Sequence, residues 1–193
     1  MSIEKAADHI KSAFQELGFY ENMPADFNEH IKDTPKRIAK AWTEFMFKSP
    51  KDLDFKCTSF SAGTVDNLQI VKDVSFNSIC AHHFFPFFGT CHLAYLPDTK
   101  IIGLSKIPRL IKFLSAQPHI QEMLVCDIAD TFYEIVKPKF VMVIMTDVTH
   151  TCCSCRGIKS NSTFISSAIR AIGDLTSHDV KSLKDEALSL LKS

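Results

Sequence analysis

The chain is predicted to be an α+β protein, and three observations carry that reading. Apolar residues recur at helical spacing over the first fifty residues, β-branched and aromatic runs dominate 67–97 and 140–148, and helical patterns separate and follow those runs without strict strand–helix alternation. No internal repeat, low-complexity tract or flexible linker interrupts the pattern. The division expected from this order is a helical region at 1–50 and a main domain at 51–193.

The elements follow in order. Ile3, Ala6, Ala7, Ile10, Ala13, Phe14 and Leu17 line one face of a first helix, and Gly18 is its stop signal. Asp33-Thr34-Pro35 announces a second helix, a capping residue followed by a proline in the first turn, with Ile38, Ala41, Trp42 and Phe45 on one face. Arg37 and Lys40 share the other face, which is either a solvated surface or an anion contact. The runs LQIVKDVSF and CHLAYLP then read as a hairpin or adjacent strands. Ser105 can cap a helix carrying Ile107, Leu110, Ile111 and Leu114, with Pro108 tolerated in its first turn. Lys106 and Arg109 fall near that terminus, where unpaired N–H groups favour an anion such as phosphate; an ordinary capped helix with surface bases fits equally.

After Pro118 a longer helix runs from about His119 to Val136, with Ile120, Leu124, Ile128, Phe132 and Ile135 as its stripe. Gln121 and Glu122 open it, an amide beside a carboxylate that could read the edge of a base and that also suits a helix's first turn. FVMVIMTDV reads as a strand, TFISSAI as another, and residues 178–191 as a closing helix.

Bulk composition narrows the function. With 193 residues and 46% hydrophobic content, the chain can bury a real core. Lys plus Arg equals Asp plus Glu at 22 each, so no overall field draws nucleic acid or an anionic membrane, and any anion site must be local. The N-terminus lacks a secretory pattern and no apolar run reaches bilayer length, which predicts a cytoplasmic protein. Seven cysteines, three of them crowded at 152, 153 and 155, do not read as a disulfide framework; reduced thiols, some on metal, are the simpler account.

Two clusters about seventy residues apart carry the chemistry: Cys80-Ala81-His82-His83 and His150-Thr151-Cys152. Two thiolates and one imidazole make a three-ligand zinc set whose fourth position stays open for water, as catalytic zinc requires. Cys80, His83 and Cys152 are the expected ligands. His82 and His150 would then stand beside the metal as proton-transfer groups. In an extended segment, His150 and Cys152 would project to one side and Cys153 to the other, which favours Cys152.

With these clusters in hand, the chain resembles the GTP cyclohydrolase I family from Asp33 to about Gly173. DTPKRIAKAW is similar to the family's Thr-Pro-x-Arg helix, SICAHHFFPFFG to its Ser-x-Cys-Glu-His-His segment, and AYLPDTKIIGLSKIPR to its Gly-Leu-Ser-Lys stretch. PHIQEML resembles the Gln-Glu helix start and THTCCSCRGI the His-x-Cys-(x)3-Arg-Gly motif. The resemblance implies a tunnelling fold (T-fold), an antiparallel sheet backed by helices, after an N-terminal helical extension. It implies Zn2+ on Cys80, His83 and Cys152, and proton transfer by His82 and His150. Gln121 and Glu122 would hold guanine; Arg37, Lys40, Lys106, Arg109 and Arg156 would face the triphosphate, with Ser105 assisting. The implied reaction opens the purine ring of GTP, releases formate and yields 7,8-dihydroneopterin triphosphate. The implied assembly is a homo-oligomer, a decamer of two pentamers with active sites shared between neighbours.

Two positions depart from the family pattern: Ala81 stands where Glu is usual, and Gln117 where arginine is common. They leave two alternatives, a related T-fold purine or pterin enzyme with altered substrate, and a catalytically weak binding or regulatory homologue.

Overall fold

The computed structural model describes residues 2–21, 23–46 and 58–192. The chain divides into two compact units, Met1–Lys48 and Ser49–Ser193; the boundary expected between 50 and 51 lies outside the described residues.

The first unit is helical: α1 (Ile3–Glu16), a 3-10 turn (Ala25–Phe27), α2 (Asn28–Ile31) and α3 (Thr34–Met46). The Ser2 hydroxyl caps α1 by accepting from the Lys5 N–H at 3.2 Å. Gly18 ends it as expected, with φ at 66° and its N–H on the Gln15 carbonyl at 2.9 Å. α1 packs on α3.

The second unit runs β1 (Ser59–Ser61), β2 (Gln69–Cys80), β3 (Pro86–Leu96), β4 (Lys100–Ile102), α4 (Lys106–Ser115), β5 (Pro118–His119), α5 (Gln121–Val136), β6 (Phe140–His150), α6 (Thr151–Ser154), β7 (Phe164–Ala171) and α7 (Ser177–Lys192). β1 and β4 form a small antiparallel pair. The main sheet has the order β5-β2-β3-β6-β7, antiparallel except where β5 joins β2.

Both faces of this sheet are covered. Phe87, Leu93, Val141, Val143 and Met145 meet α4 and α5 through Ile107, Leu110, Ile111, Leu124, Ile128 and Phe132. On the other face Ala94, Phe140, Met142 and Ile144 meet α7 through Leu183, Ala187 and Leu188. That is why β6 reads as one unbroken apolar run: a strand covered on two sides has no polar alternation to keep. Each large side chain fully buried in this way contributes about 1.5–3 kcal/mol. Arg170 on β7 grips Asp130 on α5 with two parallel hydrogen bonds, one of them Nη2 to Oδ2 at 2.9 Å, and so ties helix to sheet edge.

Ser105 does not cap α4. Its backbone is already helical, at φ −67° and ψ −13°, its side chain makes no capping bond, and the Lys106 N–H closes instead on the Gly103 carbonyl at 2.8 Å.

Bulges shape the centre of the sheet. Asp147 interrupts β6 with φ at 54°, and β3 closes on it through Gly89, where any Cβ would sit 2.8 Å from the Thr146 carbonyl oxygen. A second bulge puts Asp73 of β2 at φ 62°. Its N–H donates to Nδ1 of His92 at 3.2 Å, while His92 Nε2 pairs with the Thr146 hydroxyl at 3.1 Å. Burial lowers the His92 pKa below the ordinary 6.5, against the raising pull of Asp73 and Asp147. The unfolded chain therefore binds a proton first as the pH falls, so stability is full above the ordinary imidazole value and declines below it. Denaturant unfolding at about pH 7.5 and about pH 5.5 is expected to give a lower midpoint at the acid value, and His92→Gln is expected to lose part of that difference.

Candidate functional site

Pairing register brings the two clusters together. β2 and β3 are paired up to Ile79 against Pro86, and β3 pairs with β6 so that Phe87 faces His150. Cys80, at the end of β2, and His150-Cys152, at the end of β6, therefore emerge at one end of the sheet. The Cys80 loop is held by its backbone: Phe84 N–H to the Cys80 carbonyl and Cys80 N–H to the Phe85 carbonyl, each 2.8 Å, and Ala81 N–H to the His119 carbonyl of β5 at 3.0 Å. Across from it the Thr151 hydroxyl donates to the Pro86 carbonyl at 2.6 Å.

One donor atom each from Cys80, His150 and Cys152 lies within 4.8 Å of the others. Two sulfurs and an imidazole nitrogen at this spacing suit a soft tetrahedral cation, with sulfur ligands at about 2.3 Å and nitrogen at about 2.0–2.1 Å. The electrostatics point the same way. Burial, reinforced by the neighbouring Cys80, pushes the Cys152 thiol up to about 11. Two adjacent thiols resist losing their protons together, and a divalent cation between them reverses that preference.

These groups line a cavity of about 240 Å³ together with His82, His83, Ile120, Gln121, Glu122, Cys153 and Phe164. Cys80 Sγ is 3.8 Å from His82 Nδ1. The His150 ring is stacked on Phe87 at 4.6 Å and 4° and meets the edge of Phe164 at 5.6 Å. Burial lowers the His150 pKa, with Glu122 pulling it back up. Gln121 is 3% exposed, the first residue of α5, and both ends of its amide are engaged, one with His150 and one with Ser166.

The remaining expected site residues each have different surroundings. His83, expected as a ligand, lines the same cavity on the exposed loop but is not in the close donor group. Ser105, Lys106, Arg109 and Arg156 do not line this cavity. Arg37 and Lys40 belong to the first unit, where Arg37 lies 4.0 Å from Asp33 and Lys40 3.9 Å from Glu44.

The alternation argument for Cys152 does not hold as stated, because the strand ends at His150 and residues 151–154 form one helical turn. Cys152 is selected by that turn, which buries it to 8% exposure and leaves Cys155 exposed. Phe87, Phe164 and Ser166 were not singled out from sequence. Phe164 and Ser166 fall in the strand-like run TFISSAI, which says nothing of their partners, and Phe87 lies in the segment between LQIVKDVSF and CHLAYLP, where no periodicity marks it.

Comparison with known proteins gives the family. The family model described as GTP cyclohydrolase I matches residues 10–190. "GTP cyclohydrolase 1" of Sulfurihydrogenibium sp. is 41% identical over 144 residues, 74% of each chain. The Helicobacter acinonychis protein of the same name is 39% identical over 179 residues, 91% of this chain and 96% of that one. That of Aquifex aeolicus is 38% identical over 165 residues, 85% of each. Among solved structures, archaeosine synthase QueF-Like in its apo form aligns at a TM-score of 0.45 and 14% identity, over 54% of this chain and 94% of that one, too remote to bear on the fold. The α+β second unit, with its antiparallel sheet backed by helices, is the T-fold of this group. The chain belongs to the GTP cyclohydrolase I family of enzymes.

Proposed function

We propose that this enzyme converts GTP to 7,8-dihydroneopterin triphosphate and formate with zinc held by Cys80, His83 and Cys152. The observation that carries the reading is the meeting of two thiols and an imidazole from distant segments, within 4.8 Å, in a cavity shared with two further histidines and a carboxylate. When bound, zinc supplies a Lewis acid that brings the pKa of water to about 7.

The chain's own residues do the rest. The Glu122 carboxylate accepts hydrogen bonds from the N–H edge of guanine and so aims C8 of the base at the cysteines. His150 and His82 hold and move protons, first as water adds to C8 and then as the ring nitrogens depart. Opening of the ring frees C8 as formate, and the ribose rearranges and closes onto the base, for a net consumption of one water. Phe87 and Phe164 keep the His150 ring from turning and keep bulk water from its faces. Lys106, Arg109, Arg156, Arg37 and Lys40, with Ser105, hold the triphosphate, and remote charge-assisted bonds of this kind supply binding energy for the chemical step.

Since Ser105, Lys106, Arg109 and Arg156 of the second unit do not line its cavity, the reading places them at a site completed by a neighbour. The sheet allows it. β7 has no partner on its outer side among the described residues, and exposes Phe164 and Ile165. β2 is covered by β5 only at Ile79 and Cys80. β7 and β2 run in opposite directions, so β7 of one copy beside β2 of the next continues the antiparallel order and generates a ring. A decamer of two pentamers follows the family, with residues 1–50 as a helical region outside the 51–193 T-fold domain. Such an enzyme needs no membrane or nucleic acid and works in the cytoplasm; no helix among the described residues is long and apolar enough to cross a membrane.

One observation favours a second ligand choice: His150, not His83, stands in the close donor group. His83→Ala and His150→Ala decide between them by elemental analysis, because only loss of the true ligand empties the site. The activity itself is tested with zinc-loaded protein and GTP, reading formate and the fluorescent pterin left after oxidation and dephosphorylation. Turnover is expected from a species far above the 21.7 kDa of one chain; no formate at saturating zinc would move the protein to the class of binding homologues.

A further inference from the structure

We propose that Gln121 and Ser166 are positioning residues that set which ring nitrogen of His150 carries its proton. The inference rests on the GTP cyclohydrolase reading and assigns Gln121 a task other than holding guanine.

Glutamine is seldom fully buried, and a buried amide must satisfy both its ends. Gln121 is 3% exposed, and its two ends are committed inside the chain. Its Nε2 donates to Ser166 Oγ at 2.8 Å. Its Oε1 faces His150 Nε2, also at 2.8 Å. Ser166 stands on β7 opposite Met145 of β6, and Gln121 is the first residue of α5, so three elements meet in one chain of hydrogen bonds.

The His150 ring cannot answer by turning. It lies flat on Phe87, 4.6 Å away and 4° from parallel, and is met edge-on by Phe164 at 88°. A carbonyl oxygen only accepts, so the nitrogen facing it must carry the hydrogen. Nε2 is then the N–H, and Nδ1 keeps its lone pair.

This tautomer gives His150 a definite order of action. Nδ1 takes the proton of the attacking water as the O–C8 bond forms, and returns it to the departing ring nitrogen as the C8–N bond breaks. The proton count is balanced, and no oxidant or reductant is needed. The opposite tautomer would present an N–H where an acceptor is required for the first step. With the Gln121 amide occupied, recognition of the guanine edge falls to Glu122, which is exposed on the same first turn and lines the same cavity.

The test has two arms. In protein labelled with 15N-histidine and used as purified, the His150 signals, identified by their loss in His150→Asn, are expected to show Nε2 protonated; protonation at Nδ1 would overturn the proposal. In kinetics, Gln121→Met, which keeps the shape and removes the acceptor, is expected to lower kcat by about 10- to 100-fold. The KM for GTP should stay within about twofold, the pattern of a group acting only on the chemical step. Gln121→Glu, which restores an acceptor to Nε2, should recover part of kcat, and Ser166→Ala should fall between the parent and Gln121→Met. A raised KM with kcat preserved in Gln121→Met would return this residue to guanine binding and end the idea. If the parent itself fails to turn over GTP, the functional reading has failed, while the 15N spectrum still decides the tautomer.

Discussion

Cys152→Ala is expected to leave the protein without bound zinc and to reduce pterin formation to background, while Cys153→Ala and Cys155→Ala keep most of both. The argument is one of position. Cys152 is buried within 4.8 Å of the Cys80 and His150 donor atoms, whereas Cys155 is exposed at the end of the same helical turn. Cys153 is nearer the centre, because it lines the cavity and its thiol helps to raise the Cys152 pKa, so its loss should be felt as a modest weakening. Losing an outer partner of a metal site costs about 10- to 100-fold in affinity or activity, and losing a thiolate ligand must cost more. Cys80→Ala should match Cys152→Ala. Elemental analysis of the purified variants beside a GTP assay checks the ranking, and equal zinc loss at 152, 153 and 155 would show that the metal is held by a different set.

Local chemistry is what made the site legible before the fold was seen. Cys80, His82, His83, His150 and Cys152 announce themselves as residue types clustered where apolar runs end, and the structure places all of them around one cavity. The α+β class was legible for a related reason: helical and strand patterns are local, α4, α5 and α7 carry a helical period, β2 and β3 lie in β-branched and aromatic runs, and β6 stands out as an unbroken apolar run. His119 shows the limit. It reads as the start of a helix, but the two-residue strand β5 takes Pro118 and His119 through pairing with Ile79 and Cys80, a long-range contact that leaves no periodicity.

What could not be read depends on register. That Phe87 sits under His150 follows from the offset between β3 and β6, which a bulge at Asp147 resets, and a one-residue slip would turn the opposite face toward the site. The amide of Gln121 is a similar case. Its type and place beside Glu122 suggest base recognition, but the partner 45 residues away on β7 that occupies it is visible only after folding. Ser105 erred in the other direction: the residue type is right for a cap, but the chain enters α4 already coiled, so the hydroxyl has no N–H to receive.

Glu122→Gln is expected to cost GTP most of its advantage over purine triphosphates that lack the guanine edge, with metal content unchanged. Glu122 is exposed at the first turn of α5 and lines the cavity close to the cysteines and His150. A carboxylate there accepts from the ring N–H and the exocyclic amine of guanine together, whereas a glutamine offers one acceptor and one donor, so one bond becomes a clash of donors. Sites built to pair a substrate's N–H or O–H reject an analogue lacking it by about 10⁴- to 10⁵-fold, so kcat/KM for GTP should fall by two or more orders of magnitude, while inosine triphosphate, which lacks the amine, should lose far less. The same substitution removes a negative charge that raises the His150 pKa, so the acid limb of the pH–rate profile should move to lower pH. A structural role for Glu122 would lower both substrates alike. The direction of the pH shift and the ratio between the two triphosphates therefore test, independently of zinc, whether α5 presents this carboxylate to the base.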